Sequence, residues 1–138
     1  MPWIRRLREE GYKVYAVAPS GEWNQLIANG GGEFVEWNLS RSGRNPVSEF
    51  RSILDLARIL RRIEPDIVQN FHTKPNIYAP IAAKLARVPV TISTVTGLGY
   101  TFVDRPGIRA RITKYLNLCM YALSNRLVNE VMFQNPDD

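Results

Sequence analysis

Asp66-Ile67-Val68-Gln69-Asn70-Phe71-His72-Thr73-Lys74-Pro75-Asn76-Ile77-Tyr78 is the stretch on which the organisation of this chain turns. Residues 66–70 form a short apolar run of strand length. It leads into a polar loop holding the only histidine, His72, beside Lys74. Pro75 stops the strand, and Asn76 opens a helix over 76–87 that is apolar on most faces (Ile77, Ala79, Ile81, Ala82, Ala83, Leu85, Ala86). A second edge of the same kind follows. The buried-type strand at 88–94 runs straight into Thr96-Gly97-Leu98-Gly99-Tyr100. Polar or glycine-rich loops at the ends of two successive strands are how an open α/β sheet builds a ligand crevice.

The same alternation extends in both directions. Trp3, Ile4 and Leu7 recur at helical spacing over 2–10, and Gly11 closes that helix. A strand over 12–18 stops at Pro19, and Ser20 is placed to cap a helix over 21–29 that Gly30-Gly31-Gly32 ends. A strand over 34–39 follows. The loop Ser40 to Asn45 then leads to Pro46, placed where a first helical turn tolerates proline. Val47, Phe50, Ile53, Leu54, Ala57, Leu60 and Ile63 step by three and four, the mark of an amphipathic helix. Glu64-Pro65 ends it, because the residue before a proline disfavours the helical region. A long helix over 107–125 and a strand over 127–134 complete the series.

Strands alternating with helices predict right-handed βαβ units, hence a Rossmann-like α/β domain over 1–138 with a mostly parallel sheet. Such sheets begin on a strand, and that first strand is central. Here the first element is a helix, so the sequence reads as one Rossmann-like domain without its first strand, trimmed at both ends.

With 138 residues, 45% hydrophobic and 22% charged, the composition is that of an ordinary globular domain. A net charge of +5 favours anionic partners weakly. No nucleic-acid reader motif accompanies it. Cys119 is the only cysteine, which excludes an internal disulfide and a cysteine zinc site and fits a reducing cytosol. No apolar run has the length of a membrane span, and residues 1–10 do not read as a secretion signal.

His72 reads in two ways. It binds a ligand phosphate or hydroxyl, or shuttles a proton; or it merely caps the following helix. One histidine cannot build a histidine metal cluster, and no serine stands in a nucleophile elbow. Lys74 is either a point charge for a diphosphate or a solvated lysine. Gly97-Leu98-Gly99 supplies close backbone approach to an anion, but it lacks the third glycine and the distant acidic residue of a dinucleotide fingerprint. On the helix from 107, Ile108, Ile112, Tyr115, Leu116, Cys119 and Leu123 form one stripe. Arg105 and Arg109 flank one edge, while Arg111 and Lys114 lie beyond the other. With Tyr100 and Phe102 these cations form a region suited to anionic headgroups or a lipid diphosphate. The competing reading is a packed helix with solvated arginines.

Taken together, the segments resemble the N-terminal domain of GT-B-fold glycosyltransferases of the GT4 family, in the bacterial subgroup that builds lipid-linked oligosaccharides, capsules and O-antigens. The matching pieces, in order, are Arg6-Leu7-Arg8-Glu9-Glu10-Gly11-Tyr12 before Val14 and Ala18-Pro19, Arg41-Ser42-Gly43, Asn45-Pro46, Pro65-Asp66-Ile67-Val68, Phe71 to Tyr78, Thr96 to Tyr100 and Phe133-Gln134-Asn135-Pro136-Asp137-Asp138. The resemblance implies two Rossmann-like domains with the active site between them. The N-terminal one receives the acceptor, often a polyprenyl-diphosphate-linked sugar, and the C-terminal one binds the nucleotide-sugar. Transfer with retention and without a bound metal is implied, with no cofactor beyond the donor substrate.

On that resemblance His72, Lys74, Thr96, Gly97, Leu98, Gly99 and Tyr100 face the substrate cleft. Phe102, Arg105, Arg109, Arg111 and Lys114 form the acceptor and membrane surface. Two departures follow. The donor domain is outside these residues, so the chain by itself is expected to be inactive. Where relatives place a catalytic histidine after the later strand, this sequence has Thr96, so the catalytic residues stay unassigned and His72 is not promoted to base. The expected function is the acceptor side of a retaining, nucleotide-sugar-dependent transferase in envelope glycan synthesis, cytoplasmic and at the inner face of the membrane. Its partners are then a lipid-linked or saccharide acceptor, a nucleotide-sugar, and a donor-domain partner chain or strand-donating neighbour, with no nucleic acid. The alternatives are a non-catalytic membrane-docking subunit for a separate catalytic chain and a small nucleotide-binding module.

Overall fold

In the computed structural model, residues 2–39, 46–96 and 107–134 are described, with the backbone but not the side chains of residues 109, 110, 113 and 117. The elements alternate as the sequence predicts: α1 (Pro2–Glu9), β1 (Tyr15–Ala18), α2 (Asn24–Asn29), β2 (Glu33–Glu36), α3 (Pro46–Ile63), β3 (Ile67–Phe71), α4 (Thr73–Ala86), β4 (Val90–Val95), α5 (Ile108–Asn125) and β5 (Glu130–Phe133). Every strand pair is parallel. The fold is α/β and Rossmann-like. Its strands form two sheets rather than one, in the orders β1-β2 and β3-β4-β5. They belong to two compact units, Met1–Asp55 and Leu56–Asp138.

In the first unit, Gly11 takes φ +91° after α1, a conformation that costs a residue without Cβ nothing. Ile4 and Ile27 are buried, and Gly32 lets them close. A Cβ on Gly32 would stand 3.1 Å from Ile4 Cγ2 and 3.3 Å from Ile27 Cγ2. Trp37, just past β2, is 3% exposed, and its indole N–H donates to the Ser52 carbonyl at 2.9 Å. The Ser52 hydroxyl in turn donates to the Asn38 carbonyl at 2.8 Å. These bonds fasten the segment after β2 onto α3. The ion pairs Arg6–Glu10 and Lys13–Glu33 are exposed and contribute little. The side chain of Tyr15, and then Glu33, raises the pKa of Lys13.

In the second unit, β3 and β4 pair Asn70 with Ser93 and Phe71 with Thr94, and β4 continues onto β5 with Val95 beside Phe133. One face of this sheet carries Asn70, Thr91, Ser93 and Val95, all buried. Helix α4 supplies Ile77, Ala79, Ala82 and Ala83, also buried. The alanines bring α4 close at little cost in side-chain entropy. Pro80 inside α4 lacks the N–H that would bond the Asn76 carbonyl. Arg87 closes α4 in the left-handed region, φ 61°, with its N–H on the Ala83 and Lys84 carbonyls.

Three boundaries differ from expectation. Helix α4 starts at Thr73, not Asn76. Pro75 therefore lies in the first turn, where no intrahelical N–H is required, and does not mark the strand's stop. Helix α2 starts at Asn24 with Trp23 at its N-cap, so Ser20 is not its cap. The strands are shorter than the apolar runs that announced them, β1 beginning at Tyr15 and β2 ending at Glu36.

Candidate functional site

The parallel register sets the C-terminal ends of β3 and β4 side by side, and each is followed at once by a candidate residue: His72 after Phe71 and Thr96 after Val95. Thr96 Oγ1 and His72 Nδ1 lie 3.1 Å apart. This decides between the two readings of His72. It occupies the N-cap position of α4, but its imidazole makes no capping bond. The ring is held by Thr96 on the next strand instead. When the hydroxyl donates to Nδ1, the ring proton sits on Nε2, leaving an N–H donor on an exposed side chain.

The backbone of His72 has φ 69° and ψ 163°. That region is essentially reserved for glycine and costs a side-chain-bearing residue about 1–3 kcal/mol. It persists because the residues on both sides are fixed. Phe71 is locked into the β3 ladder, and the Asn76 N–H already bonds the His72 carbonyl at 3.0 Å to start α4. The chain turns from strand to helix within a single residue, which brings the imidazole toward Thr96 rather than along the helix.

Beneath this pair lies a polar network. Asn76, fully buried, donates from Nδ2 to the Thr94 carbonyl at 2.9 Å and to the Tyr121 hydroxyl of α5 at 3.0 Å. Gln69 Nε2 donates to Thr94 Oγ1 at 3.0 Å. Asn76 Oδ1, Asn70 Nδ2 and Ser93 Oγ are buried without a hydrogen-bond partner. Sequence reasoning took Asn76 only as the residue that opens the helix and did not single out Tyr121. The available signal was an asparagine inside an otherwise apolar helical stripe, because a buried amide demands partners.

Lys74 stands one residue further on, its ammonium 5.9 Å from the centre of the Tyr78 ring, an i,i+4 pair in the first turns of α4. That turn has no acidic residue, so the positive end of the helix is not neutralised locally. Gly97, Leu98, Gly99, Tyr100, Phe102 and Arg105 lie outside the described residues, as does the side chain of Arg109. Arg111 is exposed and Lys114 half-buried on α5.

The stripe Ile108, Ile112, Tyr115, Leu116, Cys119 and Leu123 is not the packed side of α5. Each of these side chains is exposed. The helix turns Tyr121 and Ser124 inward instead, the Ser124 hydroxyl donating to the Ile77 carbonyl at 2.8 Å.

A cleft of about 400 Å³ lined by Leu60, Arg61, Glu64, Pro65 and the turn at Arg87 opens at the other ends of β3 and β4. It is remote along both strands from His72 and belongs to no candidate residue. Among the described residues, no three His, Cys, Asp or Glu side chains gather as a metal ion requires. None of the described helices is long and apolar enough to cross a membrane.

The family model described as glycosyl transferase 4-like matches residues 1–135. Two curated relatives align. The N,N'-diacetylbacillosaminyl-diphospho-undecaprenol alpha-1,3-N-acetylgalactosaminyltransferase of Campylobacter jejuni is 27% identical over 135 residues, 98% of this chain and 36% of the relative. The UDP-Gal:alpha-D-GlcNAc-diphosphoundecaprenol alpha-1,3-galactosyltransferase of Escherichia coli is 28% identical over 82 residues, 59% of this chain and 21% of the relative. The chain thus spans about a third of the length of the first and a fifth of the second.

Proposed function

This chain belongs to the glycosyl transferase 4-like family, and on that premise we propose that it forms the acceptor side of a retaining, nucleotide-sugar-dependent glycosyltransferase of bacterial envelope glycan synthesis. The acceptor is a sugar on a polyprenyl diphosphate, the class named in both relatives. The donor is a nucleotide-sugar, bound mainly by a second Rossmann-like half. The work is done at the inner face of the cytoplasmic membrane.

The observation that carries this reading is the pairing of His72 with Thr96 across the ends of β3 and β4. Parallel α/β sheets bind ligands outside the carboxyl ends of their strands. With Nδ1 occupied by Thr96, His72 offers Nε2–H to a sugar hydroxyl or a phosphate oxygen. Lys74 and the positive end of α4 supply the electrostatic part for a diphosphate. The glycine loop 97–99 adds backbone amides, and Arg111 and Lys114, with Arg105 and Arg109, the outer cationic rim. In this assignment His72 and Thr96 position the acceptor and perform no proton transfer.

Calorimetric titration tests the proposal. The 138-residue chain is expected to bind a short-chain, water-soluble prenyl-diphosphate sugar saturably, and His72→Ala or Thr96→Ala is expected to weaken that binding about tenfold, as loss of a hydrogen bond to a charged group of about 1.5 kcal/mol would. Tight binding of nucleotide or nucleotide-sugar with none of the prenyl-diphosphate ligand would overturn it in favour of a nucleotide-binding module.

A further inference from the structure

Helix α5 is amphipathic in the wrong sense for a helix that only packs on its own fold. Its inward side is polar, through the Ser124 hydroxyl on the Ile77 carbonyl and the Tyr121 hydroxyl that receives the Asn76 amide. At roughly 100° per residue, Ile108, Ile112, Tyr115 and Cys119 lie about 180–240° around the helix from Ser124, with Leu116 and Leu123 beside them. Ile108, Ile112, Tyr115, Leu116 and Leu123 are 53–70% exposed. Spaced by three and four residues, they form one continuous stripe, of the size class that soluble monomers expose only for a function.

The charges around the stripe say what covers it. Residues 108–125 contain Arg109, Arg111 and Lys114 and no acidic residue. Exposed Arg111 sits at the edge of the stripe, and Lys114 lies further round on the same side. An apolar face bordered by cations without any anion is the pattern of a helix lying in the interface of a negatively charged bilayer, its apolar face sunk into the headgroup and acyl boundary. Tyr115 on the stripe carries the aromatic body and polar tip that suit headgroup depth.

We infer that α5 is a membrane-docking helix whose exposed apolar stripe enters an anionic lipid surface while Arg111 and Lys114 meet the headgroups. The choice of a lipid surface over a protein groove rests in part on the lipid-linked acceptor proposed above. The orientation then follows: α5 packs on α4, whose first turn carries Lys74 and follows His72, so docking through α5 holds the candidate site near the surface where such an acceptor sits.

Cys119, the only cysteine, lies on the stripe and gives a unique labelling position. The 138-residue chain, labelled there with an environment-sensitive fluorophore, is mixed with vesicles of phosphatidylethanolamine and phosphatidylglycerol or of phosphatidylcholine alone. Co-flotation of the unlabelled chain is measured in parallel. The inference expects flotation and a blue-shifted, brighter label with the anionic vesicles, quenched by acyl-chain-brominated lipid. Arg111→Gln with Lys114→Gln weakens partitioning on the order of thirtyfold, from the usual contribution of a cation near an anionic surface. Ile112→Asp with Leu116→Asp abolishes flotation, and because both side chains are exposed its unfolding midpoint stays near that of the parent.

Absence of flotation, flotation that ignores lipid charge, or a blue shift without lipid accompanied by sedimentation as a dimer each overturns the inference; the last assigns the stripe to a second copy. The soluble prenyl-diphosphate ligand separates the two proposals. Retained ligand binding without vesicle binding removes only the docking helix, and vesicle binding without ligand binding removes only the acceptor reading.

Discussion

Replacing His72 by glycine and by alanine should reverse the usual order of stability of those two residues. At an ordinary position glycine is the worse of the pair by about 0.5–1 kcal/mol, because it loses more freedom on folding. At φ 69° and ψ 163°, however, alanine keeps the full backbone strain of about 1–3 kcal/mol and glycine none. Both variants lose the Thr96 contact equally, roughly 0.5 kcal/mol at an exposed site. The strain term is the larger, so His72→Gly should exceed His72→Ala by about 1 kcal/mol. For a chain of this length that is about 4 °C in midpoint. Against the parent, glycine gains the strain relief less its own entropy cost and the lost contact, so it should be neutral to slightly stabilised, whereas alanine should fall by about 0.5 kcal/mol. Urea and thermal unfolding of the three proteins, followed by circular dichroism, measure this. Both variants should also lose affinity for the prenyl-diphosphate ligand, so for glycine stability and binding do not fall together. A glycine variant less stable than the alanine variant by the ordinary 0.5–1 kcal/mol would refute the claim that His72 is held under strain.

Three further outcomes follow from single contacts. Asn76→Ala should lower unfolding free energy by about 2–4 kcal/mol, since it opens a buried gap and leaves the Thr94 carbonyl without its side-chain donor; denaturant titration reads it, and Tyr121→Phe should cost about 1 kcal/mol. Arg87→Gly should raise the midpoint by the equivalent of about 0.5–1 kcal/mol, because φ 61° there is free for glycine, provided the exposed side chain contributes little. Gly32→Ala should destabilise by about 1–3 kcal/mol, as its Cβ meets the Ile4 and Ile27 methyl groups at 3.1 and 3.3 Å, and Ile27→Val in the same chain should recover part of the loss.

The order and type of the elements were legible because each strand and helix carries its own period and its own stop. Gly11, Pro46 and Glu64-Pro65 mark element ends by backbone chemistry alone. The strand-end position of His72 and Thr96 was legible for the same reason, while their contact was not, because a parallel register is set by which strands pair and not by either loop. Helix α4 was read three residues short. The bias of residue 74 against helix before Pro75 is real, but it was outweighed once His72 absorbed the whole turn in a glycine-type conformation. That strain has no sequence signature.

The orientation of α5 was the larger miss. Periodicity shows that Ile108, Ile112, Tyr115 and Leu116 share a stripe, and burial by default would place it inward. The inward side was chosen instead by hydrogen bonds from Asn76 to Tyr121 and from Ser124 to Ile77, long-range pairings that no local pattern encodes. The division into β1-β2 and β3-β4-β5 was hidden for a related reason, since all five strands read alike and partners are not written in the strands themselves.

The central claim, that the ends of β3 and β4 form an acceptor-binding wall, is tested most directly by site-resolved NMR. The isotope-labelled 138-residue chain is titrated with the water-soluble prenyl-diphosphate sugar and separately with a nucleotide-sugar. The account predicts saturable shifts in the His72 imidazole, the Thr96 amide and the Lys74 amide with the prenyl-diphosphate ligand, and none of comparable size with the nucleotide-sugar. Shifts at His72 and Thr96 with the nucleotide-sugar alone, or prenyl-diphosphate shifts confined to residues remote from both, would contradict it.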